Sequence, residues 1–433
     1  MPTSLIYNWE AELRRFAPTL PYRIIAGSRK EREALLADVP PGTLLLTSYA
    51  TLRRDAALYQ GLQFDSIISD EGQYIKNSYT QNTRSLKSLS GLHHFSLTGT
   101  PIENSLADLW SIMDFCLPGY LHSWREFRHL YEIPITRYED TARLEQLRRQ
   151  IAPFILRRLK ADVLTELPDK IDTVLYAELS EEERRIYHTQ LALSHKAFIE
   201  EIAGRSLAQS RMRVLTLLMR LRQVCCSPAL FLDGFDKPSA KLQLCLSVIE
   251  ERHAAGHQML VFSQFTSVLD MIAPELERRG IRYLTLTGKT KAEDRMTLVR
   301  RFNDDHIPVF LISLKAGGIG LNLTSADTVI HFDPWWNQSV ENQATDRTHR
   351  IGQKKSVHVI RLITKNTIEE KILQLKEKKQ ALSDAIITSE DSAISRLTLD
   401  DLAHLFALDY TDMPNLAPAP RPSRAAYTID TDD

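Results

Sequence analysis

At 433 residues the chain is longer than one hydrophobic core usually supports, so we expect two domains. Its 54 basic residues nearly balance 55 acidic ones, which excludes a global positive field and leaves only local clusters for contact with nucleic acid. The 4 cysteines show no CxxC spacing and no apolar run approaches roughly 18 residues, which argues against a zinc site, a disulfide framework or a membrane span and favours a soluble, intracellular protein.

The first third of the chain alternates helical and strand patterns. Apolar residues from Leu5 to Phe16 recur at helical spacing and predict a helix near the first residue, with Thr3 or Ser4 as its cap. Short apolar runs predict buried strands at 43–46, 64–69 and 94–97. Each strand ends in polar residues, and the ligands of open parallel sheets bind at such carboxyl ends.

An acidic pair, Asp70 and Glu71, follows the second of these strands. Adjacent carboxylates at this place are well suited to hold a hydrated magnesium ion and to orient an attacking water. The alternative is an ordinary polar loop start, because acidic dipeptides are common. The third strand leads into Thr98 and Thr100, whose hydroxyls could relay a change at bound phosphates.

The middle of the chain, from about residue 119 to 240, shows long helical patterns in place of strands. Ser180 and Glu183 form a capping box that predicts a helix through roughly Ile202. A second amphipathic run, Met212 to Val224, ends before Pro228. We interpret this part as a helical insertion between two α/β domains, with arginines that are solvated or paired rather than in contact with DNA.

From residue 241 to 387 strand and helix patterns alternate again and predict a parallel sheet with crossover helices. The predicted strands are 259–262, 283–286, 309–313, 328–332 and 357–363. The predicted helices follow Thr266, span 292–302, begin at Ser339, and begin at a capping box of Thr367 with Glu370. A short helix is expected beyond about Ser389, and disorder is expected from about Met413.

Two neighbouring stretches of this second domain suggest a phosphate ligand. The strand 309–313 opens into a glycine-rich segment, where backbone can approach a ligand closely. Further on, Arg347 and Arg350 would share one face if their stretch is helical, with Gln343 one turn upstream, and such a pair suits a polyphosphate. The alternative is that the arginines pair with aspartates, namely Asp327, Asp333 or Asp346.

No phosphate-binding P-loop pattern, GxxxxGK[ST], occurs in the chain. Gly288, Lys289 and Thr290 resemble its end, but the first glycine of the pattern is replaced by Tyr283. Leu323 likewise excludes a dinucleotide fingerprint in the glycine-rich segment.

Seven ordered motifs closely resemble those of one family, the SWI/SNF-type branch of the superfamily-two, DEAD/DEAH-box helicase-like ATPases. They are PTSLIYNW (2–9), DEGQYIKN (70–77), LTGTPIENSLADLWSI (97–112), PFILRRLKADVLTELP (153–168), VFSQF (261–265), SLKAGGIGLNLTSADTVIHFDPWWN (313–337) and QATDRTHRIGQ (343–353). The resemblance implies an α/β fold of two RecA-like parallel-sheet domains that close around ATP and magnesium, with double-stranded DNA held across both.

Residue roles carry over from the matched motifs. Asp70 is similar to the magnesium-coordinating carboxylate, Glu71 to the base that orients the hydrolytic water, and Arg350 to an arginine finger. In the last motif, Arg347 is similar to a second phosphate contact, and Gln343 also matches a catalytic position. Positions similar to the nucleotide-facing ones are Gly318, Gly320, Asn322 and Asp346, and those similar to coupling residues are Gln73, Thr98 and Thr100. Positions similar to the DNA track are Ser4, Ser48, Ser263, Lys315 and Trp335.

Several alternatives and departures accompany this resemblance. Trp335 and Trp336 are equally well explained as packing aromatics. Gly72 stands where many members of the family have alanine. The family's P-loop normally lies upstream of the segment that begins here at Met1, so we expect an amino-terminally truncated chain.

The sequence therefore predicts four parts and two candidate functions. The parts are an incomplete first RecA-like domain (1–118), a helical insertion (119–240), a second RecA-like domain (241–387) and a carboxyl-terminal extension (388–433). The first candidate function is an ATP-dependent double-stranded DNA translocase or remodelling motor, cytoplasmic or nucleoid-associated, with protein partners in a DNA-transaction complex. The second is a non-hydrolysing module that binds DNA or protein. It is considered because the chain lacks the P-loop pattern, whose lysine and backbone amides supply much of phosphoryl-transfer catalysis.

Overall fold

A computed structural model describes the greater part of the chain. The described residues are 1–99, 106–138, 140–156, 158, 164, 166–204, 207–232, 234–235, 237–317, 321–335, 338–383 and 399–407. They form two compact units, one from the chain before residue 166 and one from the chain after it. The predicted α/β fold class with parallel sheets is confirmed. The division between the units falls inside the predicted helical insertion, whose four-part boundaries remain a prediction.

The first unit contains two parallel strand pairs among its described residues. Strands β1 (Tyr22–Ile24) and β2 (Leu44–Leu46) form one pair, and β3 (Gln63–Asp70) and β4 (Ser90–Leu97) form the other. Its helices are α1 (Ile6–Phe16), α2 (Arg29–Ala37), α3 (Tyr49–Asp55), α4 (Gln81–Lys87), α5 (Leu106–Cys116), α6 (Trp124–Phe127), α7 (Ile133–Tyr138) and α8 (Thr141–Ile151). Parallel pairing brings the carboxyl ends of β3 and β4 side by side, with Asp70 opposite Leu97.

Helix α1 is where the capping prediction is wrong. A single 3-10 turn, Thr3–Leu5, precedes the helix, and neither Thr3 nor Ser4 makes a side-chain cap hydrogen bond. The turn lets the buried residues Leu5 and Ile6, each 4% exposed, pack inward at the start of the helix. Hydrophobic packing therefore fixes this helix start without a polar cap.

The second unit is built on one six-stranded parallel sheet in the order β5-β10-β9-β6-β8-β7. Its strands are β5 (Lys170–Ala177), β6 (Met259–Ser263), β7 (Tyr283–Leu286), β8 (Val309–Ser313), β9 (Thr328–His331) and β10 (Val357–Thr364). The five predicted strands are confirmed to within about a residue, because β6, β8 and β9 are buried at every position and read as uninterrupted apolar runs.

Strand β5 is absent from the predictions, which placed only helices in this part of the chain. It lies at the edge of the sheet and pairs only with β10. Its first four residues are exposed, so it lacks the continuous apolar run that marked the central strands. Its sequence, KIDTVLYA, alternates weakly and carries little signal on its own.

The helices of the second unit cover the sheet and form a hairpin beside it. They are α9 (Glu181–Gly204), α10 (Leu207–Cys226), α11 (Ala240–Ala254), α12 (Thr266–Arg278), α13 (Ala292–Asp304), α14 (Leu314–Gly317), α15 (Gln338–Thr345), α16 (Ile368–Ser383) and α17 (Leu399–Phe406). Helices α9 and α10 pack against α16 and α17 through a shared apolar cluster. No helix of the described residues is both long and apolar enough to span a bilayer.

The two predicted capping boxes have different outcomes. The box before α9 is confirmed, since Ser180 N–H donates to Glu183 Oε2 at 2.9 Å and Glu183 N–H donates to Ser180 Oγ at 3.3 Å. Before α16 the prediction is wrong in its partner, because Glu370 accepts from Asn366 N–H at 2.8 Å rather than from Thr367. The disorder predicted from Met413 lies outside the described residues.

Candidate functional site

Asp70 is the last residue of β3, and hydrogen bonds hold both of its carboxylate oxygens. Oδ1 accepts from Glu71 N–H at 2.9 Å, and Oδ2 accepts from the Trp9 indole N–H at 2.7 Å. Its carbonyl accepts from Tyr49 Oη at 2.7 Å. Burial raises the pKa of Tyr49 far above its usual range, so the phenol stays protonated and remains a donor.

Glu71 follows with a left-handed backbone, φ 54° and ψ 63°, which is uncommon for a residue with a side chain. Its Oε2 accepts from Gln73 Nε2 at 2.7 Å, and Gln73 Oε1 accepts from Thr98 Oγ1 at 3.2 Å. A hydrogen-bonded chain thus runs from the end of β4 to the carboxylate of Glu71. The predicted coupling residues Gln73 and Thr98 form this chain, whereas Thr100 lies outside the described residues.

Gly72 has a local reason to be glycine. A Cβ at this position would lie 2.5 Å from Ser96 Oγ, which hydrogen-bonds to Ser69 Oγ at 2.9 Å. An alanine at position 72 would therefore require the Ser96 hydroxyl to move and would disturb its hydrogen bond to Ser69.

The two carboxylates fit a magnesium–nucleotide complex in their chemistry. Each carboxylate oxygen has two lone pairs, so the bonds to Asp70 leave acceptor capacity on both of its oxygens. Within the described residues no group of three or more His, Cys, Asp or Glu side chains is placed to hold a metal. Magnesium is commonly held by one or two carboxylates together with waters and substrate phosphates, so Asp70 suits such a shared site.

Two predicted DNA-track residues of the first unit lie near its first helices. Ser48 is 1% exposed and caps α3, since its Oγ accepts from Thr51 N–H at 3.0 Å. Ser4 is half-buried in the 3-10 turn that precedes α1. The hydroxyl of Ser48 is therefore committed to a cap in this structure, and both DNA roles remain predictions.

In the second unit a buried arginine joins two loops at the carboxyl edge of the sheet. Arg222 of α10 donates to Asp333 Oδ2 at 3.2 Å and to the Pro334 carbonyl at 2.6 Å. Ser263 Oγ donates to Asp333 Oδ1 at 2.6 Å. The guanidinium also lies over the rings of Phe265 and Trp335, at 5.7 and 5.6 Å. Arg222 is thus paired, as predicted for the arginines of this segment.

Two further predicted DNA-track residues belong to these loops. Ser263 is 1% exposed, and its hydroxyl is engaged by Asp333. Trp335 is partly buried and packs against the core, in keeping with the packing alternative. The backbone of Lys315 lies in α14, but its side chain and Trp336 lie outside the described residues.

A buried network supports the backbone at Trp335. Glu341 of α15 accepts from Trp335 N–H at 2.6 Å and from Lys376 Nζ at 2.8 Å, and Arg361 of β10 lies 3.6 Å away. Burial disfavours the charged carboxylate, but Lys376 and its other neighbours outweigh this cost and lower the pKa of Glu341. Glu341 therefore stays ionised and ties α15 to α16.

The arginine stretch departs from the predicted helix. Helix α15 ends at Thr345, so Gln343 is helical but Arg347 and Arg350 lie in the turns that follow. The Gln353 side chain stabilises these turns through hydrogen bonds to main-chain carbonyls. Its Nε2 donates to the carbonyls of Ala326 at 2.7 Å and Thr348 at 3.2 Å.

These turns lie beside the end of the glycine-rich segment within the same unit. Leu323 N–H donates to the Arg347 carbonyl at 3.0 Å, and Arg350 Nη1 donates to the Leu321 carbonyl at 3.4 Å. Asn322, between these two leucines, is exposed. Gly318 and Gly320 lie outside the described residues, and Asp346 begins the turn that leads to Arg347.

Two of the three aspartates that were predicted as alternative partners of these arginines bind other side chains. Asp327 accepts from Lys355 Nζ and contacts His257 Nδ1, both at 3.0 Å, while Asp333 pairs with Arg222. Arg350 is exposed. This leaves the guanidinium of Arg350 accessible to a ligand.

The structure adds functional candidates that sequence reasoning missed, namely Trp9, Tyr49, Arg222, Glu341 and Gln353. Trp9 and Arg222 were identified only as members of helical patterns, and their partners lie 61 and 111 residues away. For Arg222 the sequence offers one signal, a basic residue on an otherwise apolar face of a predicted helix.

We predict that His331 makes stability depend on pH. Burial lowers the pKa of His331 to about 4 from its ordinary 6.5. Between these values the unfolded chain binds more protons, so stability is complete above pH 6.5 and falls as the pH drops toward 4, by at most about 3 kcal/mol. Urea denaturation of the second unit at pH 7 and pH 4.5 measures the loss.

His331→Leu should reduce this pH dependence, whereas His253→Leu, at an exposed position of α11, should leave it unchanged. Equal slopes of stability against pH in the parent chain and His331→Leu would contradict the assignment.

Two family models match the chain. One, described as an SNF2-related domain, matches residues 1–230, and the other, a helicase conserved C-terminal domain, matches residues 240–352. Together they cover the first unit and most of the second, whose described residues 353–383 and 399–407 lie beyond both matches.

Curated relatives agree with these family matches. A putative ATP-dependent helicase/translocase YwqA of Bacillus subtilis is 40% identical over 95% of this chain and 45% of its own length. The TATA-binding protein-associated factor MOT1 of Saccharomyces cerevisiae is 32% identical over 94% of this chain and 25% of its own length. The chain therefore spans less than half of these relatives. A Sulfolobus solfataricus SWI2/SNF2 ATPase core in complex with dsDNA is 34% identical, covers 93% of this chain and 84% of its own, and has a TM-score of 0.48.

Proposed function

Because this chain belongs to the SNF2-related family of ATP-dependent helicases and translocases, we propose that it carries the motor of a double-stranded DNA translocase. The motor couples ATP hydrolysis to movement on duplex DNA without separating the strands. The observation that carries this proposal is the pair Asp70 and Glu71 at the end of β3, held by the Trp9 and Gln73 side chains.

Each carboxylate has a distinct role. Asp70 would hold the magnesium ion that accompanies ATP, and the ion would supply charge neutralisation at the phosphates. Glu71 accepts a hydrogen bond from the attacking water and orients it. The chain from Glu71 through Gln73 to Thr98 reports the state of the nucleotide to the end of β4.

The second unit carries the other residues that we propose for nucleotide contact. Arg347 and Arg350 contact the terminal phosphates, and the exposed guanidinium of Arg350 serves as the arginine finger. Gln343, Asn322 and Asp346 contribute to nucleotide contact. The positions proposed for the DNA track are Ser4, Ser48, Ser263, Lys315 and Trp335; in this structure the hydroxyls of Ser48 and Ser263 are hydrogen-bonded to Thr51 and Asp333.

A second candidate is a module that binds DNA without hydrolysing ATP. The observation that favours it is the lack of a GxxxxGK[ST] pattern in these 433 residues. Backbone amides and a lysine of that loop hold the phosphates in P-loop enzymes. Such a module would bind duplex DNA with an affinity that falls steeply with salt, because its contacts are to phosphates.

The deciding experiment measures phosphate release by the chain with and without duplex DNA, together with displacement of a triplex-forming strand. A translocase shows DNA-stimulated release and triplex displacement but no unwinding of a forked duplex. Salt-dependent DNA binding without phosphate release would favour the second candidate. Unwinding of the fork would contradict both and indicate a strand-separating helicase.

A further inference from the structure

We propose that Trp9 is a positioning residue that orients the Asp70 carboxylate for its metal ion. This inference rests on the proposed function, because it assumes that Asp70 holds the ion. Trp9 would act through its indole N–H alone, without contact to the ion or the nucleotide.

The contact itself is short and specific. The Trp9 indole donates to Asp70 Oδ2 at 2.7 Å, the length of a charge-assisted hydrogen bond. Glu71 N–H fixes the other oxygen, Oδ1, at 2.9 Å. With one donor on each oxygen, the carboxylate plane has a defined rotation, and one lone pair on each oxygen remains for a ligand.

The indole is held in place by its helix. Leu5 and Ile6 pack inward at the start of α1, and exposed hydrogen bonds connect the far end of the helix to β1. There Arg14 donates to Tyr22 Oη at 2.9 Å and to Glu10 Oε1 at 2.7 Å. Trp9 lies between these two anchors, so its N–H is oriented before any ligand arrives.

The main chain of Asp70 is fixed independently of Trp9. Tyr49 Oη donates to the Asp70 carbonyl at 2.7 Å, and the Tyr49 ring stacks on Tyr74 with centroids 5.7 Å apart. Removal of the indole N–H therefore frees the rotation of the side chain while the backbone keeps its place. Outer donors of this kind typically change metal affinity about 10–100-fold.

Trp9→Phe is the test, because it removes the N–H and keeps most of the ring. The matched control is Trp110→Phe, which removes an indole hydrogen bond of 3.1 Å to the His122 carbonyl and no bond to Asp70. Free Mn²⁺ is measured by electron paramagnetic resonance in the presence of ADP. We expect Mn²⁺ binding to weaken about tenfold in Trp9→Phe and to stay unchanged in Trp110→Phe.

Several outcomes would overturn the proposal. Equal Mn²⁺ affinity in Trp9→Phe and the parent chain removes the positioning role, and tighter binding in the variant would show that the indole competes with the metal. Equal weakening in both variants would show a structural effect. Absence of saturable Mn²⁺ binding in the parent chain itself would overturn the assignment of Asp70, and with it the proposed function of this site.

A second measurement does not depend on the folding of a Trp9 variant. In the parent chain labelled with ¹⁵N-tryptophan, the 5 tryptophans give separate indole resonances. The Trp9 indole proton should broaden at a lower Mn²⁺ concentration than that of Trp110, since paramagnetic relaxation falls steeply with distance. Broadening of both at the same concentration would contradict the proposal.

Discussion

Replacing Lys241 by methionine should lower the free energy of unfolding of the second unit by about 3–5 kcal/mol. Lys241 Nζ lies 2.5 Å from Glu369 Oε2, and both side chains are 0% exposed. The substitution leaves the Glu369 carboxylate buried without its cation. Glu369 also accepts from Thr364 N–H at 2.9 Å, so the end of β10 should loosen with it.

The double variant Lys241→Met with Glu369→Leu removes both charges of the buried pair. Comparing it with Lys241→Met shows how much of the loss in stability comes from leaving Glu369 without its cation. The double variant should recover part of the stability, because it leaves no unpaired charge buried; the Thr364 N–H still loses its acceptor, at a cost of about 1–3 kcal/mol. Urea denaturation and hydrogen exchange of β10 are the measurements.

The control for this pair is Lys237→Met, which breaks an exposed pair with Glu182, where the side chains are 76% and 55% exposed. It should change stability by less than about 1 kcal/mol. A loss in Lys241→Met no larger than in this control would contradict the prediction, as would a double variant as unstable as the single one.

Replacing Glu71 by glutamine should lower the DNA-stimulated rate of ATP hydrolysis at least about 100-fold. The Gln73 amide already donates to Glu71 Oε2 at 2.7 Å. A glutamine would turn its own oxygen toward that donor and present its NH₂ group to the water. The water would lose its acceptor, while the volume and backbone of residue 71 stay the same.

DNA affinity should be unchanged in Glu71→Gln, since the residue contributes to the reaction rather than to the track. The charge-matched control is Asp65→Asn, at an exposed position of the same strand, which should hydrolyse ATP at the parent rate. Parent-level hydrolysis by Glu71→Gln would remove Glu71 from the base role. A loss in both variants would indicate a general electrostatic effect.

The fold could be predicted to the extent that burial leaves a mark on local sequence. Strands β6, β8 and β9 are buried throughout, and their apolar runs placed them correctly. Strand β5 is half-exposed at the edge of the sheet and is paired with β10. Its own residues do not form the apolar run that identifies a buried strand. Local pattern alone therefore could not identify it.

The motif residues of the candidate site could be predicted from the sequence, but the hydrogen bonds that position them could not. Asp70, Glu71 and Gln73 come together as expected because they are adjacent in sequence and follow one strand. The turns at Arg347 depend on Gln353, whose side chain reaches the carbonyl of Ala326. A hydrogen bond between distant residues leaves no periodic pattern in the sequence. The helical spacing therefore predicted the wrong conformation for Arg347 and Arg350.

At Glu71 the left-handed backbone lowers stability, while the proposed reaction requires the carboxylate side chain. This conformation costs a residue with a side chain roughly 1 kcal/mol, and glycine or asparagine would adopt it more readily. Selection for thermal stability alone would therefore be expected to discard the carboxylate at this position. In a library of variants at position 71 that is sorted only for stability, glycine and asparagine should therefore be enriched over glutamate.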